Sequence, residues 1–182
     1  MNSRKEITGK LLNLLRSKTS GKHSAEEVVL DIDQTHGKHV VDYMTFEPAR
    51  CDTVDGIEKG IFTCYEIKSC YADLYSGNGL NFVGEKNYLV TTSEVYNKML
   101  KENWNKLNDH VKNCNSESHL FDIGGVGVMV AIPQYRETSV EVFNPKPFDI
   151  YLNYRLEVIM SCHPTSRRRS MVELLYCMLR AK

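Results

Sequence analysis

IFTCYEIKSC, residues 61–70, is the stretch on which the fold turns. It is rich in aromatic and β-branched residues and reads as a strand. Side chains on a strand alternate faces, so Glu66 and Lys68 point the same way and Ile67 points opposite. Phe62, Cys64 and Tyr65 make the rest of the segment apolar. An acid and an amine side by side in such a strand are costly to bury unless they pair or serve a reaction.

The preceding residues supply two more strands. EEVVLDID, residues 26–33, and HVVDYMTF, residues 39–46, each alternate with a period of two. The Gly-containing turn Gln34-Thr35-His36-Gly37 joins them, which predicts a β-hairpin. Residues 47–60 read as a polar loop. Asp42 interrupts VVDYM between Val41 and Tyr43. With the second and third strands as neighbours, Asp42 and Glu66 face each other across the ladder at about 5 Å.

The rest of the chain completes an α+β layout. Ile7, Leu11, Leu14 and Leu15 recur at helical spacing within residues 4–17, and Gly21 marks the stop. A short helix fits Tyr71–Tyr75, loop-like SGNGLNFVGEK follows, and NYLVTT (87–92) is a buried strand. Ser93 caps a long helix whose stripe is Val95, Tyr96, Met99, Leu100, Trp104, Leu107 and Val111. After a polar loop at 112–124, GVGVMVAIP (125–133) is a strand. Residues 134–149 hold two of the five prolines and read as irregular. Residues 151–161 suit helix or strand. A last helix is expected from about 166 to 181, with Met171, Val172, Leu174, Leu175, Met178 and Leu179 inward and Arg167, Arg168 and Arg169 in its first turn. Cations there oppose the helix dipole, so a bound anion is expected nearby. The order is α-β-β-β-α-β around one central mixed sheet, with a helical tail.

Composition narrows the classes. The chain has 182 residues, 42% hydrophobic, with 23 Lys+Arg against 23 Asp+Glu. That length suits one domain, 1–182, with a core at about 22–133 and an extension at 134–182. Ordinary apolar content excludes global disorder, and no apolar run approaches the roughly 20 residues that span a bilayer. The amino terminus does not read as a secretory signal. The six cysteines form no CxxC pair, which fits reduced thiols in a cytoplasm. A zinc site from Cys114, His119, Cys162 and His163 is conceivable but lacks the usual ligand spacing. Net neutrality hides an asymmetry: residues 1–22 sum to +5, residues 155–182 to +4 and the middle to −9. Basic flanks around an acidic centre suit a protein that grips a polyanion and holds metal between, as well as one with ordinary solvated helices at both ends.

Two facing carboxylates are tolerable with a divalent cation between them. Mg²⁺ (or Mn²⁺) favours one or two carboxylates plus waters and phosphate oxygens. Such an ion lowers the pKa of a bound water and neutralises phosphoryl charge, and Lys68 would orient the water or stabilise the developing charge. Glu27, at the start of the first strand, is a third acid. A (D/E)-x-K triplet arises by chance about once in a chain of this length, and here it falls on the most strand-like segment. The competing reading is a structural ion pair across the sheet. Asp52 and Asp55 are rival acids in a polar loop. Ser69, Lys86, Asn81 and Asn87 are candidate contacts to a nucleic-acid backbone. Arg167, Arg168 and Arg169 are candidate phosphate contacts. Tyr71 and Tyr75 suit either base stacking or packing. No P-loop and no nucleophilic triad is present.

An Asp in one strand followed by E-x-K in the next resembles the PD-(D/E)xK nuclease superfamily, with its restriction-endonuclease-like fold. The stretch VVDYMTF…CYEIKSCYADLYSG…NYLVTT is also similar to MmcB-type DNA repair nucleases and phage-borne relatives. The resemblance covers roughly residues 22–133, and its motifs are short. It implies Asp42 and Glu66 as metal ligands, the carbonyl of Ile67 as a further ligand and Lys68 as the catalytic lysine. Glu27 matches the auxiliary acid only loosely, and Asp42 follows Val41 rather than Pro. The implied function is Mg²⁺-dependent cleavage of DNA in repair, recombination or phage DNA metabolism. The alternatives are a non-catalytic nucleic-acid-binding module on the same fold and a partner-binding domain with a structural Glu66–Lys68 pair. The expected partner is DNA and not a membrane. Oligomeric state stays open, a homodimer included.

Overall fold

The computed structural model describes residues 3–33, 37–50, 53–76, 79–102, 109 and 125–181. The fold is α+β: a six-stranded mixed sheet in sequential order with helices on both faces. The elements are α1 (Arg4–Lys18), β1 (His23–Asp33), β2 (Gly37–Glu47), α2 (Val54–Glu58), β3 (Ile61–Lys68), α3 (Tyr71–Leu74), β4 (Lys86–Thr92), α4 (Ser93–Lys101), β5 (Val126–Pro133), α5 (Thr138–Phe143), β6 (Tyr154–Met160) and α6 (Met171–Arg180). β1–β2 and β2–β3 pair antiparallel, β3–β4 and β4–β5 parallel, and β5–β6 antiparallel. The parallel centre explains the unbroken apolar run of β5, which is buried along its whole length.

Strand alternation divides the core by face. Tyr65 and Ile67 of β3, Val90 of β4, and Met129 and Ala131 of β5 pack against Leu11 and Leu15 of α1. Leu89, Val128, Val130 and Ile132 pack with Val95, Tyr96 and Met99 of α4 on the opposite face. There too, Phe62 and Cys64 meet Leu174 and Cys177 of α6. Glu66 and Lys68, in phase with Phe62 and Cys64, therefore belong to the α4–α6 face.

Several expectations are corrected. The loop at 47–60 contains α2, capped by Thr53. The stretch 134–149 is not wholly irregular, since α5 forms within it. The residues at 151–161 resolve to strand β6. The helix at 93 is capped by Thr92 rather than Ser93 and is described to Lys101; Trp104, Leu107, Val111 and the loop at 112–124 lie outside the described residues, as do Cys114 and His119. α6 starts at Met171, after an N-cap at Ser170 whose hydroxyl accepts from the Glu173 amide. Arg167, Arg168 and Arg169 thus precede the helix and do not occupy its first turn. Val172 (77% exposed) and Leu179 (85%) face outward, whereas Leu174 and Cys177 are the residues buried beneath α6. Among the described residues, no helix is long and apolar enough to cross a membrane.

Candidate active site

The site begins where β2 and β3 part. Their register runs from Glu47↔Ile61 to Tyr43↔Tyr65, and the ladder ends there. The next step would set Asp42 opposite Glu66. Instead of a backbone carbonyl, the Asp42 side chain takes the free amide: Ile67 N donates to Asp42 Oδ2 at 2.7 Å. The N–H and C=O of one strand residue point to the same edge, so the Ile67 carbonyl turns toward Asp42 as well. The other edge of the strand end is also fixed, since Thr91 Oγ1 donates to the Lys68 carbonyl at 2.6 Å.

The segment after α3 closes the fork. Asn81 Nδ2 donates to the Val40 carbonyl at 2.8 Å, and Asn81 N donates to Glu66 Oε1 at 3.1 Å. His39 Nδ1 and Asn81 Oδ1 lie 3.1 Å apart. One asparagine therefore ties β2 to the buried acid of β3. Gly79 has φ +78°, and a Cβ there would lie 2.8 Å from both Glu66 Oε2 and Lys68 Nζ. Only glycine allows the chain to pass this close to the acid and the amine.

Asp42, Ile67 and Lys68 line a cleft of about 340 Å³, walled by Arg4 and Thr8 of α1, Asp73 of α3 and the Gly79–Asn81 segment. Glu66 is fully buried behind it and Lys68 is 5% exposed. Burial pushes the Glu66 carboxyl up to about 8, and the neighbouring Asp42 charge adds to this; the Lys68 ammonium and the amides of Leu80 and Asn81 oppose it. Burial also raises Asp42, against the Ile67 amide and Lys68, while the Asp73 charge raises it further. In both groups the largest cause is burial, which disfavours the charged carboxylate.

The donor set fits a hard divalent cation. Two carboxylates and a carbonyl on one edge are all-oxygen ligands. Glu66 Oε2 is buried and receives no hydrogen bond from an N–H or hydroxyl donor. Among the described residues no cluster of three or more His, Cys, Asp or Glu side chains forms a metal cage, so an ion here would keep several waters, as Mg²⁺ does.

The other expected residues are placed elsewhere. Glu27 is exposed, with φ +47°, and lies outside the cleft. Ser69 is buried directly after β3, its hydroxyl without a partner. Lys86 pairs with Thr63 at the opposite end of the parallel β3–β4 ladder from Lys68. Asn87 braces a turn through the Gly84 amide and carbonyl. Arg167 donates to Glu85 Oε1 at 2.7 Å, Arg169 pairs with Glu173 at 3.5 Å, and the Arg168 amide donates to the Val83 carbonyl. Asp55 is exposed and paired with Lys59; Asp52 lies outside the described residues. Tyr71 and Tyr75 pack on one another, centroids 5.0 Å apart, and Tyr71 bonds Glu102. Of the conceived zinc ligands, Cys162 is buried and His163 exposed. Arg4, Asp73 and Gly79 escaped the sequence reading. The alanine–aspartate step Ala72-Asp73 and the Gly79 that follows were visible, but only the closing of the chain onto β3 gives them a place.

No family model, no curated protein and no solved structure matches this chain.

Proposed function

We propose that this protein is a divalent-metal-dependent phosphodiesterase that cuts DNA, a nuclease of the PD-(D/E)xK type related to the MmcB-like proteins. The observation that carries the reading is the convergence of Asp42, Glu66 and Lys68 at the end of one pair of strands, with the Ile67 backbone between them. Asp42, Glu66 and the Ile67 carbonyl would hold Mg²⁺ or Mn²⁺. When bound, such an ion supplies charge neutralisation at a phosphoryl oxygen and a water of lowered pKa. The Ile67 amide orients Asp42, and the Asn81 amide orients Glu66. Lys68, fixed through its carbonyl by Thr91, presents its ammonium to the same cleft. There it donates hydrogen bonds to an attacking water or to a non-bridging oxygen of the phosphate. A fixed donor in a site shielded from solvent is worth more than one in bulk water.

Plasmid nicking with Mg²⁺ or Mn²⁺ tests this. The wild type should cleave, and Glu66→Gln and Lys68→Ala should each lower the rate by about a hundredfold or more while retaining the wild-type circular dichroism spectrum. Undiminished cleavage by Glu66→Gln removes the assignment.

A further inference from the structure

Arg4 is placed against ordinary helix electrostatics. It opens α1, where a cation meets the positive end of the helix dipole. The turn that carries it is firmly held. Ser3 and Glu6 form a reciprocal capping box, and Leu11 and Leu15, further along α1, are completely buried on the sheet. From this anchored turn the guanidinium reaches the cleft and pairs through Nη2 with Asp73 Oδ1.

The two partners differ sharply in exposure. The Asp73 side chain is 7% exposed and that of Arg4 is 64% exposed. Asp73 is itself held in α3, its amide donating to the Cys70 carbonyl and its carbonyl accepting from Ser76 Oγ. A buried carboxylate thus pins one end of a guanidinium whose remaining surface faces solvent at the cleft mouth. Among the described residues, Arg4 and Lys68 are the cations lining this cleft, and Lys68 is buried against the carboxyl pair. A phosphodiester arriving from solvent would meet Asp42 and Asp73 unless a cation received it first.

We propose that Arg4 binds a phosphate of the substrate backbone at the cleft mouth, and that Asp73 is a positioning residue that holds the guanidinium ready. The proposal rests on the reading above that the cleft takes phosphodiesters. A guanidinium offers several donors in a planar fork that matches two phosphate oxygens, and pinning it beforehand lowers the ordering cost of binding.

The test is fluorescence anisotropy of a short fluorescein-labelled DNA duplex in EDTA over a NaCl series, which reads phosphate contacts without metal. Arg4→Gln should weaken binding about tenfold and reduce the slope of log K against log salt by about 1. Arg4→Lys, which keeps the charge but loses the fork, should keep the slope and bind with intermediate affinity. Asp73→Asn should raise KM for cleavage with little change in kcat. Calorimetric Mn²⁺ affinity of Arg4→Gln should stay within about twofold of wild type. If Arg4→Gln binds duplex with the wild-type affinity and slope, and only its melting temperature falls, Arg4 is structural; the cleavage reading then still stands on Glu66. If the wild type neither binds nor cuts DNA, both fall together.

Discussion

Glu66 is a carboxyl group with no exposed surface, and its proton has a measurable consequence. Its pKa in the folded chain is raised from 4.5 to about 8, so the folded state keeps a proton that the unfolded chain has already lost. Stability from this group is therefore greatest below the ordinary glutamate value and falls as pH rises through about 8. Glu66→Gln does not titrate. Its melting temperature should gain on the wild type steadily between these limits and run parallel below them; a constant difference across that range contradicts the burial account. Gly79 gives a second test at this scale. Gly79→Ala combines a positive φ with a 2.8 Å approach to Glu66 Oε2 and Lys68 Nζ, and should cost about 1–3 kcal/mol in urea unfolding. The Glu66–Lys68 pairing on one face was legible from a period of two alone. Asn81 was legible only as a candidate backbone contact, whereas Gly79 in irregular chain and Asp73 in the short α3 were not legible as site residues, because their positions are set by what they pack on.

At the scale of elements, α1 places Arg4 and covers Tyr65 and Ile67, so its anchoring matters to the site. Leu11→Ala should cost about 2–5 kcal/mol by denaturant unfolding, the range for emptying a fully buried leucine position; a loss well under 1 kcal/mol would mean that α1 is not docked as described. Periodicity served well for α1, β2, β3 and β5, where one face or both are buried. It failed at the ends of elements. The sequence SMVE at 170–173 carries the serine-x-x-glutamate spacing of a helix start, and the Ser170 hydroxyl does cap the Glu173 amide. The arginines before it drew the expected boundary too early. α5 was hidden for a different reason. Its buried Glu141 accepts from Ser93 of α4, a partner remote in sequence, and pairs with Arg136 just upstream of the helix.

Across the whole molecule, part of the charge asymmetry seen along the chain is cancelled in space. Arg4 meets Asp73, Arg16 meets Glu26, Lys22 meets Glu47 and Arg167 meets Glu85, so cations of the two ends are taken up by acids of the middle. Exposed pairs of this kind contribute little stability, but they reduce the basic character that the flanks suggested. Binding to DNA should accordingly be modest and rest on few phosphate contacts, with a shallow salt dependence. A steep slope, of the size expected for many phosphates, would point to a surface other than the cleft. The proposed holding of a divalent ion by Asp42 and Glu66 beside Lys68 is read without substrate by calorimetric titration with Mn²⁺. One site is predicted in the wild type, tighter and releasing fewer protons as pH rises through about 8, and lost in both Asp42→Asn and Glu66→Gln. No binding by the wild type, or undiminished binding by the two variants, contradicts it.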